Sequence, residues 1–121
     1  MSSIVRSGRR SSGPSCGLRR RGDRAHRVGR GARSEFEEAS DFYMEQDWAL
    51  LERFADEVRR MSRLTAENPR LWPEIESGIR RAILRDFPFS LIYTIEPDRV
   101  FVLALAHHSR APAYWRDRVP R

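Results

Sequence analysis

The aromatic residues of this 121-residue chain are confined to its second part. All twelve Phe, Trp and Tyr residues follow residue 33, whereas residues 1–33 hold six of the seven Gly and no aromatic side chain. A segment of that composition cannot bury enough apolar surface to offset the entropy that it would lose on ordering. We therefore predict a disordered basic tail, rich in Arg, Gly and Ser, over residues 1–24, and a single folded domain over residues 25–121.

Charge is distributed as unevenly as the aromatic residues. Residues 1–33 carry a net charge of +9, residues 34–79 carry −7 and residues 80–121 carry +4. All 23 basic residues are arginine. Clustered arginine side chains displace counterions from nucleic-acid phosphates, so a nucleic-acid-binding arm is one interpretation of the tail. A non-essential extension of biased composition is the interpretation that we favour.

The sequence argues against several classes of protein. The single cysteine, Cys16, cannot form an internal disulfide or a cysteine-based zinc site, and the three His lack any recognised ligand spacing. No stretch approaches the roughly 18 apolar residues of a membrane span, and the N-terminal region lacks the apolar segment of a secretory signal. We therefore predict a cytoplasmic protein without a metal, a small-molecule cofactor or a membrane association.

Two amphipathic helices are predicted in the acidic region. Ser34 can cap the first, with Glu35 near the positive end of the helix dipole, and the apolar pattern continues to about Glu45. The second helix spans residues 48–67 and ends before Pro69. The residues predicted to face inward are Phe36, Ala39, Phe42 and Tyr43 in the first helix, and Trp48, Leu51, Phe54 or Ala55, Val58, Met61 and Leu64 in the second.

The remaining chain is predicted to form strands over residues 80–87, 89–95 and 99–107. These segments are rich in β-branched and aromatic residues and are separated by turns that contain proline. A short first strand is predicted around Val28, which gives the order β-α-α-β-β-β. Because a two-helix hairpin has no third layer to cover its apolar stripes, we expect an α+β fold in which the hairpin packs on one face of a small antiparallel sheet.

Four stretches of the predicted domain carry a recognisable family pattern. They comprise residues 32–43, 68–73, 79–93 and 102–115. In this order and spacing they resemble the RelE/ParE toxins of bacterial type II toxin-antitoxin modules, particularly the plasmid-stabilisation group, over about residues 25–118. The chain departs from the family in its long arginine- and glycine-rich lead-in and in a loose fit around Trp48.

The resemblance implies a growth-inhibiting toxin that is held silent by a cognate antitoxin. ParE-like members act on DNA gyrase and are not nucleases, whereas RelE-like members have a similar fold and cut messenger RNA in the ribosome. We favour a replication target such as DNA gyrase, because residues 34–121 carry a net charge of −3 and a ribosome-bound nuclease would depend on phosphate contacts. The alternative is a ribosome-dependent mRNA endoribonuclease of RelE type, so whether the chain is an enzyme stays open. A degenerate toxin without activity is a third interpretation.

Four residues are candidates for catalysis in the RelE-like alternative. Cleavage of RNA requires an acid, a base and cations that stabilise the charge on the reacting phosphate. Arg81 and Arg85 lie four residues apart on a predicted strand and so project from one face, where two guanidinium groups could hold one phosphate. His107 and Arg110 follow at the end of the last strand, where a group able to transfer protons is expected.

These candidates also have a structural interpretation. Arg81 and Arg85 are equally explained as solvated side chains or as partners of helix carboxylates. His107 shares a predicted strand face with apolar residues, which favours a structural histidine, and Trp115 is assigned to core packing. The side chains predicted to share the face of His107 are Phe101, Leu103 and Leu105.

The resemblance also indicates where an antitoxin would bind. An antitoxin of this class wraps a helix and an extended segment around the toxin, so apolar groove residues are expected between the hairpin and the sheet. Trp48, Leu71 and Trp72 are candidates to line this groove. The alternative for each of them is that it completes the core of this chain.

Overall fold

Two helices and one five-stranded sheet make up residues 25–120, which are the residues that this computed structural model describes. The elements are β1 (Ala25–Val28), α1 (Arg30–Gln46), α2 (Trp48–Glu67), β2 (Glu74–Glu76), β3 (Ile79–Ile83), β4 (Phe89–Ile95) and β5 (Arg99–His107), followed by a short 3-10 helix at Arg116–Arg118. The tail predicted over residues 1–24 lies outside the described residues. In this part of the chain, neither helix combines the length and the apolar character that a membrane span requires.

The strands follow the order β1-β5-β4-β3-β2 across the sheet. The α+β fold is confirmed, and β4 and β5 have the predicted bounds. Two details differ from the prediction. The sheet is mixed instead of antiparallel, and β2 adds a fifth strand to it. The four later strands pair antiparallel, whereas β1 runs parallel to β5. A parallel pair needs a long connection between its strands, and the helical hairpin with the intervening strands supplies one.

The first helix begins earlier than predicted. Gly29 occupies its N-cap position, so Ser34 lies inside α1 and does not cap it. The Gly29 N–H donates to the Val102 carbonyl oxygen at 2.9 Å, and a Cβ at position 29 would meet that oxygen at 3.0 Å. Glycine therefore lets the chain leave β1 close to β5. Helix α2 has the predicted bounds, and the Asp47 side chain caps it by accepting from the Ala49 N–H at 3.0 Å.

The main core lies between the helical hairpin and the sheet. Its centre is Phe54, which is fully buried and stacks on the half-buried Phe36 with the ring centroids 5.7 Å apart. The prediction that Phe42 and Trp48 face inward is wrong, since both are exposed beside the turn at Asp47, where the two helices meet. The buried residues of this core are Ala32, Ala39, Phe54, Met61, Ala82, Leu84, Phe87, Phe89, Leu91, Tyr93, Val100, Val102 and Leu105.

A second, smaller core covers the opposite face of the sheet. The segment after β5 turns back across this face, and Trp115 from that segment is buried there. The predicted packing role of Trp115 is therefore confirmed. The buried residues of the second core are Ile79, Ile92, Phe101, Leu103, Ala104 and Trp115.

A bulge in β5 changes which residues share a face. The pairing of β4 with β5 shifts by one residue next to Ile92, which leaves Leu103 without a partner in the ladder. An extra residue of this kind reverses the alternation of the side chains beyond it. His107 therefore lies on the helix side, as Leu105 does, with its ring against the core. The prediction that it shares a face with Phe101 and Leu103 is wrong, because those two belong to the second core.

Candidate functional site

A cavity of about 420 Å³ opens between the second face of the sheet and the segment that follows β5. We call it the C-terminal cavity. Three of the four predicted catalytic residues, Arg81, His107 and Arg110, line it, and Arg85 does not. The titratable side chains around it are Glu76, Arg81, His107, His108, Arg110, Tyr114 and Arg116.

Arg85 lies in a different cleft. Strand β3 ends at Ile83, and Asp86 adopts a positive φ of 67° in the turn that follows, so the chain leaves the line of the strand. The Arg85 backbone N–H donates to the Glu57 carboxylate of α2 at 2.6 Å. The prediction that Arg81 and Arg85 project from one strand face is therefore wrong, and their side chains line separate clefts.

Each of the two adjacent histidines contacts a serine. The Nδ1 atom of His107 accepts the Ser109 backbone N–H at 3.0 Å and lies 2.7 Å from the Ser109 hydroxyl oxygen. Because Nδ1 accepts an N–H bond, a neutral His107 carries its proton on Nε2. His108 Nε2 lies 3.1 Å from the hydroxyl oxygen of the buried Ser90. This geometry leaves Nε2 of His107 as the atom through which that ring could transfer a proton.

A buried carboxylate lies beside the cavity, between α1 and the C-terminal segment. Glu35 is only 9% exposed. Its oxygens accept the Leu105 backbone N–H at 3.1 Å and the Tyr114 hydroxyl at 2.5 Å. The Arg118 guanidinium donates to the same carboxylate at 2.9 Å. We expected Glu35 to interact with the dipole at the start of α1. That expectation is wrong, because α1 begins at Arg30 and the Glu35 side chain points toward β5.

Burial and the Glu35 carboxylate act together on the ionisation of Tyr114. Burial raises the pKa of the Tyr114 phenol, and the hydrogen bond to Glu35 raises it further. The phenol therefore keeps its proton, and its role as a hydrogen-bond donor to Glu35, further into alkaline solution than a free tyrosine does. Arg110 stacks over the Tyr114 ring, with its guanidinium carbon 3.8 Å from the ring centroid, and its Nη1 atom lies 3.6 Å from a Glu35 oxygen.

The charges around the C-terminal cavity favour an anion. Arg116 forms an ion pair with Glu76, and Arg110 is shared with Glu35. Arg81 is exposed and, within residues 25–120, has no ion-pair partner. Arg81 therefore supplies the cavity with a cation that is not already paired with a carboxylate of the described residues. Within the same residues, no group of three His, Cys, Asp or Glu side chains is arranged to hold a metal ion.

The sequence interpretation missed the group formed by Glu35, Tyr114 and Arg118. The Glu35 and Arg118 side chains that meet here are separated by 83 residues. No local signal distinguished Glu35, because the neighbouring Glu37 and Glu38 made it look like one of three equivalent carboxylates.

Two exposed apolar residues, Trp48 at the start of α2 and Leu71 just after its end, are further candidates for function. Trp48 is 60% exposed and Leu71 is 71% exposed, so neither completes the core. Trp72 is half-buried and packs against the main core, as its structural alternative predicts. Large apolar side chains that stay in water are candidate contacts for a partner protein.

Known proteins match this chain in sequence pattern and in fold. A family model described as the ParE toxin of the type II toxin-antitoxin system parDE matches residues 27–112. The fold is similar to that of a solved chain from the chromosomal ParDE TA system of P. aeruginosa, with a TM-score of 0.61 and 14% sequence identity. That match covers 69% of this chain and 95% of the other. No curated protein matches the chain.

Proposed function

The chain belongs to the ParE toxin family of type II toxin-antitoxin systems, and on this premise we propose that it inhibits growth by binding a replication protein such as DNA gyrase. In the same proposal it acts in the cytoplasm, and a cognate antitoxin neutralises it. The observation that carries the proposal is the family match over residues 27–112, which includes both helices and the three longest strands.

The charge of the described domain supports a protein target over a nucleic acid. Residues 25–120 hold 15 Arg against 16 Asp and Glu, a net charge of −1. Many of these arginines are also paired within the chain, including Arg60, Arg80 and Arg99. A domain of this kind lacks the excess of free cations from which phosphate-directed binding derives its affinity.

The arrangement of the cavity supports the same preference. The two arginines that were expected to hold one phosphate, Arg81 and Arg85, line different clefts. The Tyr114 hydroxyl donates a hydrogen bond to the buried Glu35 carboxylate and has a raised pKa, so it is not arranged to transfer its proton to a substrate. The C-terminal cavity therefore lacks both a pair of arginines from β3 that could hold one phosphate and a phenol that is free to transfer a proton, which RNA cleavage could use.

One observation favours a second candidate function, the ribosome-dependent mRNA endoribonuclease. Arg81, His107 and Arg110 line a single cavity. In that reaction Arg81 and Arg110 would bind the phosphate, and Nε2 of His107 would transfer the proton. Arg85 would have no direct part in it.

For the antitoxin, we propose a contact surface that includes Trp48 and Leu71. Both side chains are more than half exposed, and a helix or an extended segment that covered them would remove apolar area from water. The solved ParDE system to which the chain is similar in fold supports the idea of a paired protein.

Induction of the protein in bacterial cells tests the two candidate functions directly. Plasmid topology and the DNA-damage response are measured together with primer-extension maps of messenger RNA. We expect altered topology and DNA breaks with intact transcripts. Codon-spaced cuts in transcripts, with normal plasmid topology, would overturn the gyrase proposal in favour of the endoribonuclease. Co-expression of the small protein encoded beside the toxin gene should restore growth if it is the antitoxin.

A further inference from the structure

The C-terminal cavity has no role in the proposed binding of gyrase, and its floor is a hollow in the sheet. Strand pairing places Ser90 of β4 opposite Ala106 of β5, and both side chains lie on the second face of the sheet. Their small size leaves space beside the larger Ile92. The cavity volume of about 420 Å³ falls within the range of about 300–1,000 Å³ that is typical of small-molecule sites.

The wall of the cavity that faces the sheet contains a strained turn. Pro112 and Ala113 form its centre, and the Tyr114 N–H closes it by donating to the Ala111 carbonyl oxygen at 3.3 Å. Ala113 has a positive φ of 59°, a conformation that residues with a side chain rarely adopt. Strain of this kind persists only where the surrounding structure imposes it, and it concentrates at sites that hold ligands.

The lining of the cavity between floor and wall is mostly apolar. Ile75, Ile92, Ala106 and Pro112 contribute apolar area, and Ile75 is 38% exposed. The buried Ser90 hydroxyl adds one polar group to the floor. A ligand with an apolar ring would remove this lining from water, which is favourable in proportion to the area covered.

The charges around the cavity define the other part of such a ligand. Three arginines line it, of which Arg116 is paired with Glu76 and Arg110 is shared with Glu35. Arg81 has no ion-pair partner within residues 25–120, so one positive charge remains to be balanced. A carboxylate carries one negative charge, and its two oxygens match the two parallel N–H groups of a guanidinium.

We propose that the C-terminal cavity binds a small organic carboxylate. The carboxylate pairs with the Arg81 guanidinium, and an apolar ring lies against Ile92, Ala106 and Pro112. Because the ligand contacts the sheet on one side and the segment after β5 on the other, its binding holds that segment against the sheet. The site is compatible with a gyrase target, whereas an endoribonuclease would need the same cavity for RNA.

Three matched compounds test the two features of the ligand. Phenylpropionate has both the carboxylate and the ring, phenylpropionamide replaces the carboxylate by a neutral amide, and propionate lacks the ring. Amide ¹H–¹⁵N spectra of the full-length protein follow each titration. We expect saturable shifts with phenylpropionate at Arg81, Ser90, Ala106 and residues 110–116, and dissociation constants at least about 10-fold higher for the other two compounds. Equal binding of all three, shifts spread over the whole surface or no saturable shift would overturn the proposal.

Matched variants test the contribution of Arg81. Arg81→Gln should weaken the binding of phenylpropionate by about 10-fold or more and leave the binding of the amide unchanged. Arg85→Gln removes an exposed arginine from a different cleft and should change neither. Equal effects of the two substitutions would contradict the role of Arg81.

A further variant tests the hollow in the floor. Ala106→Leu fills the space beside Ser90 without changing the charge, so it should prevent the binding of phenylpropionate. The dispersion of the amide spectrum verifies that the variant is folded. Unchanged affinity in the folded variant would show that the ring does not enter the cavity and would overturn the proposal.

Uridine monophosphate distinguishes a carboxylate site from a site for RNA phosphate. Its phosphate carries a charge of about −1.5 to −2 at neutral pH, more than the single free charge of Arg81 balances. We therefore expect weaker binding of the nucleotide than of phenylpropionate in the same titration. Equal or tighter binding of the nucleotide at the same residues would overturn the carboxylate proposal and favour the endoribonuclease. Plasmid topology after induction tests the gyrase proposal separately, so either proposal can fail without the other.

Discussion

The guanidinium of Arg118 donates to the carboxylate of Glu35, 83 residues earlier in the chain, at 2.9 Å. The same guanidinium donates to the Leu103 carbonyl oxygen at 3.1 Å. One side chain therefore joins the C-terminal segment to both α1 and β5. Because that segment forms one wall of the C-terminal cavity, the shape of the cavity depends on a contact outside it.

Replacement of Glu35 by alanine should destabilise the fold. The change leaves the Arg118 guanidinium and the Leu105 N–H without their acceptor, and removing one member of a buried pair costs about 3–5 kcal/mol. The Arg118 side chain is 31% exposed, so water compensates part of this loss and we expect a decrease of about 2–3 kcal/mol in the unfolding free energy. Urea titration measures it. Glu38→Ala, an exposed neighbour, should change stability by less than about 0.5 kcal/mol, and similar losses in both variants would contradict the role of Glu35.

The stability of the protein should decrease in alkaline solution. Burial raises the pKa of Tyr93 from 10.0 to about 12, and it also raises the pKa values of Tyr43 and Tyr114. A folded-state pKa above the unfolded value stabilises the fold fully below the unfolded pKa, and this contribution is lost as the pH rises through the folded pKa. The unfolding free energy should therefore fall between pH 10 and about pH 12.

Tyr93→Phe checks this assignment. The variant loses the hydrogen bond from the Tyr93 hydroxyl to the Pro69 carbonyl oxygen, which costs about 1 kcal/mol at neutral pH. It also removes one late ionisation, so its stability should fall less steeply with pH than that of the parent protein. Urea titrations over a series of pH values provide the comparison, and identical slopes would rule out Tyr93 as a source of the effect.

Local patterns predicted the elements whose form depends on neighbouring residues. The bounds of α2, β4 and β5 follow from apolar periodicity and from the prolines that separate them. The end of β3 was missed although Asp86, which adopts a positive φ, belongs to the residue types that tolerate one. The placement of Arg85 was wrong for the same reason.

Other features depend on contacts that no local pattern encodes. The bulge at Leu103 shifts the alternation of β5 by one residue without any change in composition. Glu35 differs from Glu37 and Glu38 only through its contact with the distant Arg118. The sequence named Arg81, His107 and Arg110 among four candidates, but it indicated neither that Arg85 lies apart from them nor which contact holds the cavity wall beside them.

Arg81 and Arg85 offer a matched pair for separating the two candidate functions. Both are exposed, and only Arg81 lines the C-terminal cavity. If the toxin acts on gyrase, Arg81→Ala combined with His107→Ala should inhibit growth as strongly as the parent protein, because no RNA chemistry is involved. Colony counts after induction, corrected for protein level by immunoblot, measure this. Loss of inhibition in that double variant, with full inhibition by Arg85→Ala and transcript cuts by the parent, would instead favour the endoribonuclease.

Substitution of Trp48 and Leu71 should weaken neutralisation while leaving the fold intact. Both side chains are largely exposed, so their removal affects binding more than stability. Truncation of a central contact residue costs about 1–3 kcal/mol, which corresponds to antitoxin binding about 5- to 150-fold weaker. Titration calorimetry with the purified antitoxin measures the change. Ile83→Ala is the control, because Ile83 is 54% exposed on the face of the sheet that points away from the helices. An equal loss of antitoxin affinity in that variant would contradict the proposed surface.

Gly31 lies in the first turn of α1, against the Arg118 side chain. Alanine stabilises a helix relative to glycine by up to about 1 kcal/mol, but a Cβ at position 31 would lie 2.5 Å from the guanidinium carbon of Arg118. Gly31→Ala should therefore push Arg118 away from Glu35 and lower the unfolding free energy by about 1–2 kcal/mol. In an Arg118→Ala background the obstacle is absent, and the same substitution should raise stability by about 0.5 kcal/mol. Urea titration of the four proteins in this double-mutant cycle gives the coupling, and an effect of the same sign in both backgrounds would mean that Arg118 is not held against the first turn of α1.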